Sequence, residues 1–249
     1  DRRLDELAAG VGVLASIDAA GIESAVDLVL IRAPAADCAD HRRVDDLRPP
    51  PADEDEVASV RAMIDEAMAR VRVRQFDAAL ALTQKAMTAT AGDRVWPPLR
   101  AEALVARGSA VAAQGDAAAA ATDLETGYEL AMASAHPEAA LRAAVRLAQL
   151  HGQDPQHGVD AARWLQRALA LVDGPLSGTY HEVIARGTAA NLHEDASRYA
   201  EALAEGQRAL AVAEALPGDH SVFVLRAENG VGTALDYLGR FDESRAHGE

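Results

Sequence analysis

The sequence predicts an all-α fold made of about five similar helical hairpins. Three observations predict this class. A residue pattern recurs every 41 or 42 positions, small residues recur at fixed places within it, and no alternating run of β-branched residues indicates a strand. Of the 249 residues, 49% are hydrophobic and 25% are charged, so the chain can bury a core.

The repeat is anchored on the third residue of a short segment that occurs five times. The anchors are Phe76, Ala117, Gly158, Tyr199 and Phe241. Three places after each anchor stands a small residue, namely Ala79, Ala120, Ala161, Ala202 and Ser244. Ten places after the first four anchors stand Ala86, Gly127, Ala168 and Ala209. Nine places before the anchors stand Ala67, Gly108, Ala190 and Gly232, with Gln149 as the exception. Small side chains let helices approach closely, so we expect these sets to be buried where helices cross.

Residues 1–52 precede the repeats and predict a helical cap followed by a proline-rich linker. Two apolar helix faces are expected there, one formed by Leu4, Leu7, Val11 and Leu14 and the other by Ile22, Val26, Val29 and Leu30. Such a helix pair would cover the apolar end of a stack of repeats. Pro49, Pro50 and Pro51 then predict a stiff spacer.

The repeats are expected over residues 53–249. Their approximate bounds are 53–92, 93–135, 136–174, 175–217 and 218–249, with the last repeat incomplete. Capping and helix-breaking residues predict helix starts at Asp53, Pro97, Asp116 and Pro137, and ends of second helices at Gly92, Gly174 and Gly218. In the third repeat, residues 151–158 predict an extended loop because Pro155 prevents a continuous helix.

This pattern resembles the tetratricopeptide repeat (TPR). The clearest copies run from residues 104–108 to Gly115 and Asp116, and from residues 229–232 to residues 239–244. The resemblance implies a right-handed superhelical TPR solenoid that binds other proteins. The period of 41 or 42 exceeds the usual value of about 34 residues, and in this it resembles the long-helix repeats of kinesin light chain.

The first 52 residues carry a second resemblance. Residues 1–7, residues 36–40 and the proline-rich spacer are similar to the segment between the kinase domain and the TPRs of large bacterial serine/threonine protein kinases, especially myxobacterial ones. This implies the C-terminal sensory or docking region of such a kinase, although the kinase motifs themselves do not occur in these 249 residues. It also implies a disulfide partner for Cys38 upstream of Asp1. The sequence leaves the cellular location open.

Composition argues against several classes of function. A net charge of −15 disfavours binding to nucleic acid, and no apolar run approaches the roughly 18 residues that a membrane span needs. The spacing of His151, Asp154, His157 and His193 matches no structural zinc site, and no phosphate-binding or dinucleotide loop occurs. We therefore expect no catalytic residue, no metal and no cofactor in this segment.

The function that the sequence favours is recognition of a protein or peptide ligand. In the TPR family the second, fifth and ninth positions of each first helix face a groove, which implies a binding surface formed by Ser109, Arg146, Asn191, Arg226, Asn229 and Thr233. An Asn amide can bond a peptide backbone, and an Arg guanidinium can bind a carboxylate. Three alternatives remain open: a peptide sensor that switches by conformational change, self-association through the incomplete last repeat, and an enzyme.

Overall fold

A computed structural model describes residues 2–17, 25, 54–92, 95–218 and 220–247. These residues form helices and turns and no strand, which confirms the predicted all-α class. The α-helices in chain order are α1 (Arg2–Leu14), α2 (Glu54–Arg72), α3 (Phe76–Ala89), α4 (Pro97–Gln114), α5 (Ala117–Ala133), α6 (Pro137–Gly152), α7 (Gly158–Val172), α8 (Tyr180–Asp195), α9 (Tyr199–Ala215), α10 (Ser221–Tyr237) and α11 (Phe241–Ala246). A 3-10 turn, Pro155–His157, stands between α6 and α7.

The helix ends follow from local chemistry. α4 and α6 begin at Pro97 and Pro137. Proline suits a helix start because a backbone N–H at that position would have no hydrogen-bond partner within the helix. Asp116 caps α5 by accepting a hydrogen bond of 3.1 Å from the backbone nitrogen of Ala119. The second helices of three hairpins end at Ala89, Val172 and Ala215. These ends lie two or three residues before the predicted ones at Gly92, Gly174 and Gly218.

The predicted interruption of the third repeat is confirmed. α6 ends at Gly152 and α7 begins at Gly158. Between them, Asp154 accepts a hydrogen bond of 2.9 Å from the backbone nitrogen of Gln156 and caps the 3-10 turn. The backbone bond lowers the pKa of Asp154, and His157 adds a second contact to its carboxylate at 3.0 Å.

Contacts divide the chain into two compact units, one that ends at Leu150 and another that begins at His151. In the first unit α2 packs against α3, α4 packs against α5, and the first helices α2 and α4 also contact each other. In the second unit α8 packs against α9, α10 packs against α11, and the first helices α8 and α10 are in contact. Each unit therefore contains the same hairpin arrangement.

Small residues make the close helix crossings possible in the first unit. Ala67, Ala79 and Ala110 form a fully buried cluster. A Cβ added at Gly108 would lie 2.7 Å from Cγ of Leu124 on α5, and one added at Gly127 would lie 2.9 Å from Cγ2 of Val105 on α4. Neither position has room for a methyl group, so the predicted small residues there are a packing requirement.

The second unit repeats this packing. Ala202 is fully buried among Leu203, Val231, Ala234 and Leu235. The other predicted crossing residues, Ala161, Ala168 and Ala209, are buried as well. Ser244, on the short helix α11, is only half-buried. Gly232 on α10 is half-buried too, so the small-residue register is confirmed in both units apart from these two residues of the last hairpin.

Helix α1 packs against α2 through Val13, which is buried beside Ala69 and Val73. Two residues of the face predicted for this helix, Leu7 and Val11, are exposed instead, because Val13 makes the buried contact. The remainder of the predicted cap, the proline-rich spacer, the linker boundary, Cys38 and the expected Asp53 cap lie outside the described residues.

Ala202→Leu should destabilise the protein by about 1–3 kcal/mol, because a larger side chain overpacks the crossing between α9 and α10. Urea unfolding followed by circular dichroism measures this loss. Glu214→Ala is the matched control, since Glu214 is exposed on the same helix and its loss should change stability by no more than about 0.5 kcal/mol. Equal unfolding curves for the two variants would contradict the crossing.

Candidate peptide-binding surface

Four of the six residues predicted to bind a ligand lie on the two contacting first helices of the second unit. Asn191 is on α8, and Arg226, Asn229 and Thr233 are on α10. All four side chains are exposed. The amide groups of the two asparagines and the guanidinium of Arg226 make no hydrogen bond or ion pair with other described side chains, so they are available to a ligand.

Sequence spacing places these residues in two parallel rows. On α8, Ile184, Gly187 and Asn191 follow a spacing of three and four residues, which is one face of a helix. On α10, the equivalent face carries Arg226, Asn229, Gly230 and Thr233. We call these seven residues the α8–α10 strip. Ile184 adds an exposed apolar side chain to it.

The two glycines of the strip differ from the packing glycines. A Cβ added at Gly187 or at Gly230 would have no heavy atom within 4 Å beyond its own helix. Both lie inside helices, where glycine costs roughly 0.5–1 kcal/mol relative to alanine. Packing therefore gives no reason for glycine at either position, whereas Gly108 and Gly127 are required by neighbouring side chains.

The equivalent positions of the first unit are filled by its own side chains. Arg61 on α2 and Glu102 on α4 stand 41 residues apart at the second position of successive first helices, and they form a bidentate ion pair of 2.8 and 3.1 Å. Ile64 and Val105, at the fifth position, are buried. Ser109, a predicted site residue, is half-buried and donates its hydroxyl hydrogen to the carbonyl of Val105 at 2.7 Å.

The ion pair between Arg61 and Glu102 is not among the predicted contacts, although opposite charges one repeat apart are a signal for it in the sequence. Glu102 also contacts Nε2 of His136 at 3.0 Å, and the side chains of Glu102 and His136 are each only 1% exposed. Arg61 additionally lies over the ring of Trp96, 5.2 Å from its centroid. This group joins α2, α4 and the turn before α6.

Arg146, the remaining predicted site residue, lies on α6 in the first unit. Its side chain is half-buried, and burial lowers the pKa of its guanidinium. Nη1 reaches Oε1 of Gln149 at 3.4 Å, while Nε is buried without a hydrogen-bond partner. Ser109 and Arg146 thus belong to one unit, and the α8–α10 strip belongs to the other.

A second ionic group, also not predicted from the sequence, is centred on Arg186 of helix α8. Arg186 on α8 contacts Glu182 at 2.7 Å, Glu205 on α9 at 2.9 Å and Asp173 at the end of α7 at 2.5 Å. Burial lowers the pKa of Arg186, but hydrogen bonds to the three carboxylates outweigh it and raise the pKa above its ordinary value. The guanidinium is therefore fully committed to its own unit and cannot serve a ligand.

The end of α8 carries two titratable groups beside Asn191. Burial, followed by the nearby charge of Asp195, raises the pKa of Glu194. Burial, followed by the charge of Arg198, lowers the pKa of His193. Oε1 of Glu194 and Nδ1 of His193 are both buried without a hydrogen-bond partner. The fold therefore favours the uncharged form of each side chain.

Among the described residues, no group of three or more His, Cys, Asp or Glu side chains is arranged to hold a metal ion. None of the helices described combines the length and apolar character needed to cross a lipid bilayer.

Glu102→Ala should destabilise the protein by about 3–5 kcal/mol, because it leaves Arg61 and the buried His136 without their carboxylate partner. The measurement is the shift of the urea midpoint, followed by circular dichroism. Glu66→Ala is the control, since the pair between Glu66 and Arg70 is partly exposed and should contribute about 0.5 kcal/mol or less. Similar losses in the two variants would contradict a buried ionic centre at Glu102.

Glu194→Gln should make the protein less sensitive to rising pH. Because the folded-state pKa of Glu194 lies above its unfolded value, the folded protein holds this proton more tightly. The wild-type free energy of unfolding therefore loses this contribution as pH rises through the folded pKa, starting above about pH 4. The advantage of Glu194→Gln over wild type should grow from pH 4 to pH 7 in urea titrations. Glu214→Gln, at an exposed site, should follow wild type, and parallel profiles for all three proteins would contradict the assignment.

Comparisons with known proteins agree with this architecture. Residues 180–249 match the family model for the tetratricopeptide repeat. Among solved structures, BtubC (BKLC) from P. vanneervenii is similar with a TM-score of 0.64 and 18% identity over 77% of each chain. Two structures of a Podosopora anserina putative kinesin light chain with nearly identical TPR-like repeats, one of them a point variant, give TM-scores of 0.60 and 0.59 at 16% and 17% identity, over 77% of this chain and 92% of theirs.

No curated protein matches the chain, and none of the comparisons supports a serine/threonine kinase parent. At these identities the structural likeness shows the fold alone. The chain contains a TPR region, and TPR structures of the kinesin light chain type are among its structural neighbours.

Proposed function

We propose that this chain is a non-catalytic protein-interaction module whose α8–α10 strip binds an extended peptide segment of a partner. The observation that carries the proposal is the pair of open helical glycines, Gly187 and Gly230. Each costs helix stability and fills no packing role in its own unit. Without a side chain at these positions, the backbone of a bound peptide can approach the helices closely.

The side chains around the glycines suit such a ligand. Asn191 and Asn229 each offer an amide donor and an amide acceptor, which is the pairing that a peptide backbone needs. Arg226 offers a free guanidinium for a carboxylate, and Ile184 offers an apolar contact. A suitable ligand is therefore an extended segment with an acidic side chain near Arg226 and an apolar one near Ile184.

We also propose which kind of protein this module belongs to. The resemblance of residues 1–52 to the linker of bacterial serine/threonine kinases supports a docking or sensory region of such a kinase, and it is the sole support for that parent. Sequencing the parent gene upstream of Asp1 tests it directly. Kinase motifs there would support this parent, and another domain in their place would contradict it.

Self-association through the last hairpin is a second candidate function, because aromatic side chains are exposed there. Tyr237 and Phe241 are 61% and 62% exposed, and the ring of Tyr237 stacks on Tyr199 with 4.6 Å between centroids. Exposed aromatic surface of this kind is common at protein interfaces. Light scattering tests the candidate, since a mass that stays monomeric across concentrations would exclude it.

Replacing both open glycines by alanine should strengthen the fold and weaken the binding of peptides. The double variant Gly187→Ala, Gly230→Ala should gain roughly 0.5–1 kcal/mol of stability per site, because each helix loses less backbone entropy. Peptides selected on the wild-type protein from a random phage-displayed library provide the probe. Their affinity, measured by fluorescence polarisation, should fall at least about tenfold, which corresponds to about 1.4 kcal/mol of steric cost.

Gly12→Ala is the matched control for this experiment. Gly12 is another open helical glycine, but it lies on α1, far along the chain from the strip. It should stabilise the protein without changing the affinity for the selected peptides. If those peptides bound the double variant as tightly as they bind wild type, the strip would not be their site.

A further inference from the structure

Residues 173–179 join α7 to α8, and we call this segment the 173–179 joint. It is held by hydrogen bonds of its own turns and by side chains of α8. Leu176 is 1% exposed and anchors its middle, with a hydrogen bond of 3.0 Å from its backbone nitrogen to the carbonyl of Leu171. The backbone nitrogen of Ser177 bonds to the carbonyl of Gly174 at 3.2 Å. Ser177 and Gly178 are exposed.

Two carboxylate contacts tie this joint to α8, one at each end. At the start, Nη2 of Arg186 donates to Oδ1 of Asp173 at 2.5 Å. Near the end, the backbone nitrogen of Gly178 donates to Oε2 of Glu182 at 2.8 Å. Glu182 also accepts a hydrogen bond from Nε of Arg186, one helical turn away. The contacts with Asp173 and with Gly178 are therefore linked through the pair of Arg186 and Glu182.

The contacts of Arg186 differ sharply in exposure. The side chains of Arg186 and Glu182 are each 8% exposed and that of Glu205 is 10% exposed, whereas that of Asp173 is 61% exposed. Salt screens exposed charges strongly, with a Debye length of about 3 Å at 1 M, and it screens buried pairs much less. The contact with Asp173 is therefore the one that salt weakens first.

We propose that Arg186 and Asp173 form a salt-sensitive latch on the 173–179 joint. The buried pairs with Glu182 and Glu205 hold the guanidinium in place, and the exposed pair with Asp173 closes the joint onto α8. Loss of the outer pair releases the start of the joint, while Glu182 still holds Gly178 and α8 and α9 remain packed. The latch goes beyond peptide binding, because it controls the stiffness of the connection that leads into the strip-bearing helix.

Asp173→Asn tests the latch, because it removes the outer charge and leaves the buried pairs intact. Amide hydrogen exchange of Leu176 and Ser177, measured by NMR at about 0.05 M salt, reports opening of the joint. The variant should exchange these amides about two- to fivefold faster than wild type, the range expected for one exposed ion pair. Raising salt to about 1 M should speed wild-type exchange toward that of the variant and should leave the variant nearly unchanged.

Asp236→Asn is the matched control. Asp236 is an exposed aspartate in the last turn of α10 and has no ion pair with the described side chains. It should leave exchange in the joint at the wild-type rate. Wild-type exchange in Asp173→Asn at low salt would overturn the latch. An equal rise across α8 and α9 with a lower melting temperature would overturn it too, since Asp173 would then stabilise the whole unit.

Discussion

The close crossing of paired helices is the constraint on which the rest of this structure depends. At Gly108 and Gly127 a single added carbon would lie 2.7 and 2.9 Å from side chains of the facing helix. Helices that pack this closely can do so only where small residues meet, so the small residues must recur once per hairpin. That recurrence fixes the period of 41 or 42 residues, and the period in turn aligns equivalent positions on successive first helices.

The two units use these aligned positions differently. In the first, Arg61 and Glu102 occupy equivalent positions and satisfy each other, with His136 completing the group. In the second, the equivalent pair is Ile184 and Arg226, which do not form such a contact and remain exposed. The ion pair of Arg61 and Glu102 leaves neither charge for a ligand. The side chains of Ile184 and Arg226 do not pair and stay accessible. The same backbone register therefore yields a self-satisfied surface in one unit and an open one in the other.

Sequence alone could predict whatever depends on local spacing. The buried positions of Ala79, Ala120, Ala161 and Ala202 follow from the period. The exposure of Asn191, Arg226, Asn229 and Thr233 follows from the TPR resemblance, and the same rule also selected Ser109 and Arg146, which are half-buried. Arg186 could not be assigned this way, because its partners lie 4, 13 and 19 residues away and none of these separations reflects the period. The register marks Gly108 as a crossing residue, but it gives no packing role to Gly187, whose open surroundings are seen only in the structure.

If the strip binds a peptide as proposed, the spacing of α8 and α10 limits which side chains of that peptide can reach it. Packed helices lie about 8–10 Å apart, and an extended peptide advances about 3.3 Å per residue. A bound peptide that crossed from α8 to α10 would therefore cover this distance in about two to three residues, and its side chains two residues apart would face equivalent positions such as Ile184 and Arg226. The core beneath is separate, because Ala190 and Ala227 are buried directly beside exposed Asn191 and Arg226. Substitutions on the exposed strip can thus test the proposed recognition without disturbing the crossings that hold the hairpins together.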